Sequence, residues 1–128
     1  MGFDFGLLLL RLSIGLSMAF GHGLGKVDRF FKGIEAGTFT FADPLGLGPG
    51  LSLFLAAFSE FVCPMALILG AATRFFCVPL ICTMAVAVFI VHGIDPFAKK
   101  ELALLYLSGT LSIFLVGPGR FSLDRLFS

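Results

Sequence analysis

Glu60 is the only charged side chain between residues 44 and 73, in a stretch otherwise made of apolar and small residues. Arg11 interrupts the first apolar run in the same way, between Leu10 and Leu12. A charge at the centre of a membrane helix costs about 2.5–3.5 kcal/mol on insertion scales, so it turns toward protein or water and marks a ligand or proton site. At a rise of ~1.5 Å per residue, Glu60 lies ~13 Å from one membrane face and Arg11 ~9 Å from the other. Their long side chains are therefore expected to meet, with Arg11 setting the charge state of the Glu60 carboxyl. Pro64 has no N–H and cannot bond the Glu60 carbonyl four residues back. One position thus offers a carboxyl and a freed backbone acceptor. The competing reading of the Arg11–Glu60 pair is architectural, an internal tie that fixes helix register.

His22 and His92 stand at the ends of apolar runs, near the expected entrance to such a site. A hydrogen-bonded or solvated histidine is ordinary there. Axial haem ligation by the pair is open in geometry but rests on two residues alone, so no haem is expected. Lys26, Arg74 and Glu101 are supporting candidates, Arg74 chiefly as an interfacial anchor. Cys63, Cys77 and Cys82 form no C-x-x-C pair and lie in apolar runs, which reads as small buried hydrophobes, not a metal or redox site. No nucleotide-binding loop is present. Any redox chemistry would need a quinone, a haem or a partner protein.

The composition supplies the surroundings these side chains need. Of 128 residues, 58% are hydrophobic and 13% charged, with a mean hydropathy of +1.04. A soluble domain of this size could not cover its surface with so few charges. A soluble enzyme domain and a disordered tail are excluded, and a net charge of +1 gives no footprint for nucleic acid. The expected class is an all-α, polytopic integral membrane protein.

Charge-free runs at 12–25, 44–59, 61–73, 75–94 and 102–119 predict four transmembrane helices, at about 5–22, 51–69, 74–92 and 101–116. They form one bundle and one domain over 1–128. The opening segment has Asp4, an interrupting Arg11 and no clear small-residue cleavage site, so it is expected to be a retained helix and not a signal peptide. Residues 26–36 place Val27, Phe30, Phe31 and Ile34 on one side, as in a helix lying flat at the interface. Gly37, Asp43-Pro44, Gly46 and Gly48-Pro49-Gly50 then read as an irregular return.

Helical spacing predicts one polar or small stripe on each helix, all turned inward. These are Arg11, Gly15, Met18 and His22, extended by Lys26; Glu60 backed by Ala56, Ala57 and Pro64; Arg74, Val78, Ile81, Ala85, Val88 and His92; and Glu101, Leu105, Ser108, Ser112 and Leu115. Lys26, Arg29, Lys32, Lys99 and Lys100 lie on one side of the membrane against Arg74, Arg120 and Arg125 on the other. The positive-inside rule then places both termini outside.

Three stretches resemble the DoxX family of small four-helix membrane proteins. The first is Leu8-Leu9-Leu10-Arg11-Leu12 through Gly15 to His22-Gly23 and Lys26. The second runs from Glu60 through Leu67-Ile68-Leu69-Gly70 and Thr73-Arg74 to Met84-Ala85 and His92. The third is Glu101-Leu102-Ala103-Leu104-Leu105-Tyr106, ending in Gly117-Pro118-Gly119-Arg120-Phe121-Ser122-Leu123-Asp124. The chain departs from the family at Cys63-Pro64, where small Gly residues are usual. The resemblance implies a redox-linked accessory or quinone-interacting subunit of a bacterial plasma (inner) membrane, at most one subunit of a quinone-linked oxidoreductase complex. It also leaves open a membrane scaffold or assembly chaperone, and a small-molecule transporter subunit. The partners it implies are the lipid bilayer, a quinone, a membrane or redox protein, or further copies of the chain.

Overall fold

A computed structural model describes residues 2–41 and 45–126. Among these the only regular structure is helical. Helix α1 (Gly2–Ala36) is 35 residues long. It comprises an α-helical part Gly2–Met18, a π turn Ala19–Gly23 and a second α-helical part Leu24–Ala36. Helix α2 (Pro49–Leu69) carries a π turn at Phe58–Val62, and α3 (Thr73–Val91) ends in one at Ala87–Val91. Helix α4 (Phe97–Val116) and a short α5 (Leu123–Leu126) follow.

Local chemistry sets these limits. Gly37 and Gly70 take left-handed φ values of 74° and 71° and stop α1 and α2, as C-terminal glycines do. Pro49 opens α2 at a position that needs no N–H. The return expected at Gly46 and Gly48-Pro49-Gly50 is compressed, with Gly46 and Gly48 at positive φ and α2 already begun at Pro49. Asp43-Pro44 lies outside the described residues. Pro64 explains the π turn of α2. Its ring leaves no donor for Glu60 and crowds that carbonyl, and the ladder widens so that the Cys63 N–H bonds Phe58 O, five residues back.

Helices α1, α2 and α3 are long and apolar enough to cross a membrane. In α4, Lys99, Lys100 and Glu101 occupy the opening turns, leaving a charge-free run of ~22 Å against a hydrocarbon core of ~30 Å. The four rods close into a ring in which α1 packs on α2, α2 on α3, α3 on α4 and α4 back on α1. The core joins Ile14, Met18, Cys63, Leu67, Cys77, Leu80, Met84 and Ile113.

Three expectations from the sequence need correction. Residues 26–36 are not set apart as a helix of their own; they continue α1, which at ~1.5 Å per residue is ~52 Å long against ~30 Å for a bilayer core. Phe30 of this extension packs on Phe39 and on Phe54 of α2. On α3 the buried face is Thr73, Cys77, Leu80, Met84 and Val88; only Val88 belongs to the expected stripe, the other four lie one residue before its members, and Val78 is exposed. On α4 the expected stripe points outward: Glu101, Leu105, Ser108, Ser112 and Leu115 are all exposed, while Thr110 and Ile113 are buried. The physical reason lies in the hydroxyls. Ser112 Oγ donates to Ser108 O at 2.8 Å, so a serine satisfied by the preceding turn can face lipid.

Candidate functional site

The two intramembrane charges do not meet. Arg11, 1% exposed, lies at the end of the bundle where α1 begins and α4 stops. Its Nε donates to Leu67 O at 2.9 Å and its Nη2 to Ile68 O at 3.1 Å. Its Nη1 donates to Pro118 O at 3.0 Å and Phe121 O at 2.8 Å. Leu67 and Ile68 sit in the last turn of α2, at the negative end of the helix dipole, where only the Gly70 N–H reaches Leu67 O from the backbone. Arg11 therefore caps α2 and ties the 117–122 segment to it. Gly70 fits beside this knot because it has no side chain: a methyl there would overlap Ser122 and the Arg11 guanidinium.

Asp124 completes the knot. Its Oδ1 accepts from Ala72 N–H at 2.6 Å and its Oδ2 from Thr73 N–H at 2.9 Å, capping the start of α3. Burial pushes the Asp124 carboxyl up, but the Thr73 and Ala72 donors and the nearby Arg11 charge outweigh it and hold the group below the ordinary range. Arg74, expected as an interfacial anchor, is exposed and donates to Phe114 O and Leu115 O at the end of α4.

Glu60 lies on the π turn of α2 and is 5% exposed. Its partner is Lys26: Nζ lies 2.6 Å from both Oε1 and Oε2. Lys26 reaches this depth because α1 runs on unbroken past Gly23. The contact between the two π turns is equally close, since a methyl on Gly23 would overlap the Glu60 carbonyl. The i→i+5 bonding of this stretch widens the turn and brings Gly23 round to the face begun by Met18, where ideal spacing predicts His22. His22 instead meets the Tyr106 ring of α4 edge-on, centroids 5.7 Å apart.

The Glu60–Lys26 pair lines a cavity of about 540 Å³ between α2 and α3. Phe41, Leu45 and Leu47 of the α1–α2 loop cover it, and Leu55, Pro79 and Ala87 contribute to its apolar wall. Ser59 and Thr83, also in the wall, are hydrogen-bonded to each other, Oγ to Oγ1, at 2.6 Å. Leu45, Leu55, Cys82 and Val91 belong to the wall and are exposed, so the cavity opens sideways. Cys82 thus differs from Cys63 and Cys77, which are buried as expected. His92 is also in the wall, with its Nδ1 2.9 Å from Asp95 Oδ2. That hydrogen bond, reinforced by the Lys99 and Lys100 charges, holds the Asp95 carboxyl below the ordinary range.

Of the residues singled out from sequence, the structure gathers Glu60, Lys26 and His92 around one cavity. Arg11 and Arg74 belong to the opposite end, His22 to the α1–α4 seam, and Glu101 to the exposed face of α4. Sequence reasoning missed Ser59, Thr83, Asp95 and the capping role of Asp124. Lys26 as the partner of Glu60 was available as the continuation of the Arg11 stripe.

No curated protein and no solved structure matches the chain. A family model described as DoxX matches residues 6–93. The match takes in the three apolar helices with Arg11, Lys26, Glu60, Arg74 and His92, and stops short of α4 and the terminal segment that caps α3. It covers well over half of the 128 residues and agrees with the apolar helices, so this integral membrane protein belongs to the DoxX family.

Proposed function

We propose that the chain is a redox-linked accessory subunit that holds the head of a lipid-soluble, quinone-class molecule in the cavity between α2 and α3. The observation that carries this reading is a buried carboxylate–ammonium pair at the polar end of an otherwise apolar cavity of about 540 Å³. That volume is within the ~300–1,000 Å³ of small-molecule sites, which combine apolar walls with a few fixed polar groups. The Lys26 ammonium has a third proton to offer a carbonyl oxygen of the ligand, and Glu60 holds the ammonium in place. Lys26 thus takes the role expected of Arg11. The exposed wall residues provide a path from the lipid. The chain has no electron-carrying motif of its own, so reducing equivalents come from a partner protein. In this reading all four rods lie in a bacterial plasma membrane, α4 crossing with its ends at the interface.

Titration of a short-chain quinone analogue into purified protein tests the proposal, with bound ligand measured directly. Lys26→Met should weaken binding about tenfold, the loss expected for one charge-assisted hydrogen bond of ~1.5 kcal/mol, and Glu60→Gln, which releases the ammonium, should weaken it as well. Arg120→Gln, at the far end, should leave it unchanged. Unchanged affinity in folded Glu60→Gln removes Glu60 from the site. No binding by the wild type removes the quinone and puts the scaffold reading ahead.

A further inference from the structure

A second cavity, of about 590 Å³, opens at the opposite end of the bundle, where α3 begins and α4 stops. It does not depend on the quinone reading. Three arginines line it, Arg74, Arg120 and Arg125, together with Asp4 and Asp124. The carboxylates are already engaged by backbone. Asp124 accepts from Ala72 and Thr73 N–H, and Asp4 Oδ1 accepts from Arg120 N–H at 3.0 Å. Two of the cations are engaged less fully. Arg74 spends Nε and Nη2 on the α4 carbonyls, and the Arg120 guanidinium makes no hydrogen bond or ion pair among the described residues.

The type of cation differs between the two ends. The basic residues here are all arginines, Arg11, Arg74, Arg120 and Arg125, whereas Lys26, Lys32, Lys99 and Lys100 with Arg29 serve the other end. A guanidinium presents a planar fork of donors that matches two phosphate oxygens, which an ammonium does not. The cavity also lies at the ends of apolar helices, where a bilayer crossed by them would place its headgroups. Basic pockets between helices at that depth hold anionic headgroups.

We propose that this cavity binds the phosphate of an anionic membrane phospholipid, with Arg120 as its principal ligand, the remaining Nη1 of Arg74 as a second donor and Arg125 adding positive charge to the lining. The lipid would seal the bundle where the Arg11 knot is closed by the 117–124 segment.

The test uses the full chain in detergent, stripped of lipid, with native mass spectrometry counting bound molecules. Phosphatidylglycerol, phosphatidylcholine and inorganic phosphate are added in parallel. One phosphatidylglycerol should be retained per chain in preference to phosphatidylcholine. Arg120→Gln should weaken retention about fivefold, and Arg120→Gln with Arg125→Gln about 25-fold. Arg120→Lys should recover only part of the loss, because charge without the fork is insufficient. Equal retention of phosphatidylcholine, or retention unaffected in both variants, overturns the proposal. Inorganic phosphate displacing the lipid at equal concentration overturns the lipid as the source. Both substitutions lie at exposed positions outside the core, and a thermal melt with the midpoint of the wild type certifies that the variants are folded.

Discussion

At one end of the bundle a buried arginine gives its hydrogen bonds to four backbone carbonyls; at the other a buried carboxylate gives both oxygens to one side chain. Backbone acceptors at a helix end cannot move without unwinding the helix, so the Arg11 knot is fixed. The Lys26 side chain, 22% exposed, can swing aside when another group offers itself. The walls differ in the same sense. Arg11 is enclosed by the turn at Gly70 and the 117–122 segment, while Glu60 borders open volume. An ionisable residue inside a membrane is a functional candidate by default, and these two show how that default divides. What decides is whether its partners are backbone or side chain, and whether it borders space a ligand could fill.

The sharpest way to break this contrast is at Arg11. Arg11→Met removes the donor of the Ile68, Pro118 and Phe121 carbonyls, while Leu67 O keeps the Gly70 N–H. At ~1 kcal/mol or more for each acceptor left unsatisfied, the loss is on the order of 3 kcal/mol. Chemical unfolding in detergent should show it, or the variant should fail to accumulate. Binding of a quinone analogue by whatever folded protein remains should match the wild type. A stability loss below about 1 kcal/mol would deny Arg11 its role as the hub.

Glycine substitutions on α1 come next, because they compare a tight position with an open one on a single helix. Gly23→Ala drives a methyl into the Glu60 carbonyl and should cost about 2–3 kcal/mol by overpacking. Gly25, two residues on, faces open space, with nothing within 4 Å of the place its methyl would take. Gly25→Ala should therefore stabilise by about 0.5–1 kcal/mol through helix propensity alone. Equal effects in a detergent melt would mean that the two π turns do not touch.

Asp124 gives a smaller effect with a pH signature. Asp124→Ala removes the cap of α3 and should cost about 1–2 kcal/mol. The native carboxyl lies below its ordinary value of 3.8, so its contribution is present above that value and is lost as pH falls through the native value. A stability–pH profile should fall in that acid window for the wild type and be flatter there for Asp124→Asn. The same slope in both proteins would assign the acid loss to another group.

The helices were legible in the sequence because a charge-free run long enough for a membrane admits few alternatives. Positions along them were less so. Ideal spacing carries the inward face of α1 to His22, and the π turn moves it to Gly23; such a turn leaves no mark on apolar periodicity. Pro64 is a visible cause for the π turn of α2, yet from sequence alone it announces only a freed carbonyl. Serines mislead on α4 because Ser112 satisfies its hydroxyl within its own helix. The Arg11–Glu60 pairing fails for a related reason. Depth counting treats side chains as free charges seeking each other and leaves out the helix ends, which hold as many acceptors as an arginine can use. The terminal Gly117-Pro118-Gly119 run carries a strong resemblance, but nothing in it announces that Pro118 and Phe121 offer carbonyls to Arg11.

The smallest expected effect settles the pairing directly. In a double-mutant cycle, Lys26→Met and Glu60→Gln should couple, because each removes the same contact and the second change relieves the group left unpaired by the first. With Lys26 partly solvated, the coupling should be about 1 kcal/mol, not the larger value of a fully enclosed pair. Arg11→Met and Glu60→Gln share no partner and lie toward opposite ends of the bundle, so their effects should add within about 0.5 kcal/mol. Both cycles use the same Glu60→Gln protein, so any general effect of removing the carboxylate cancels between them. Coupling in the Arg11 cycle with additivity in the Lys26 cycle would reverse the assignment. It would return Arg11 to the cavity and make the lysine a surface charge.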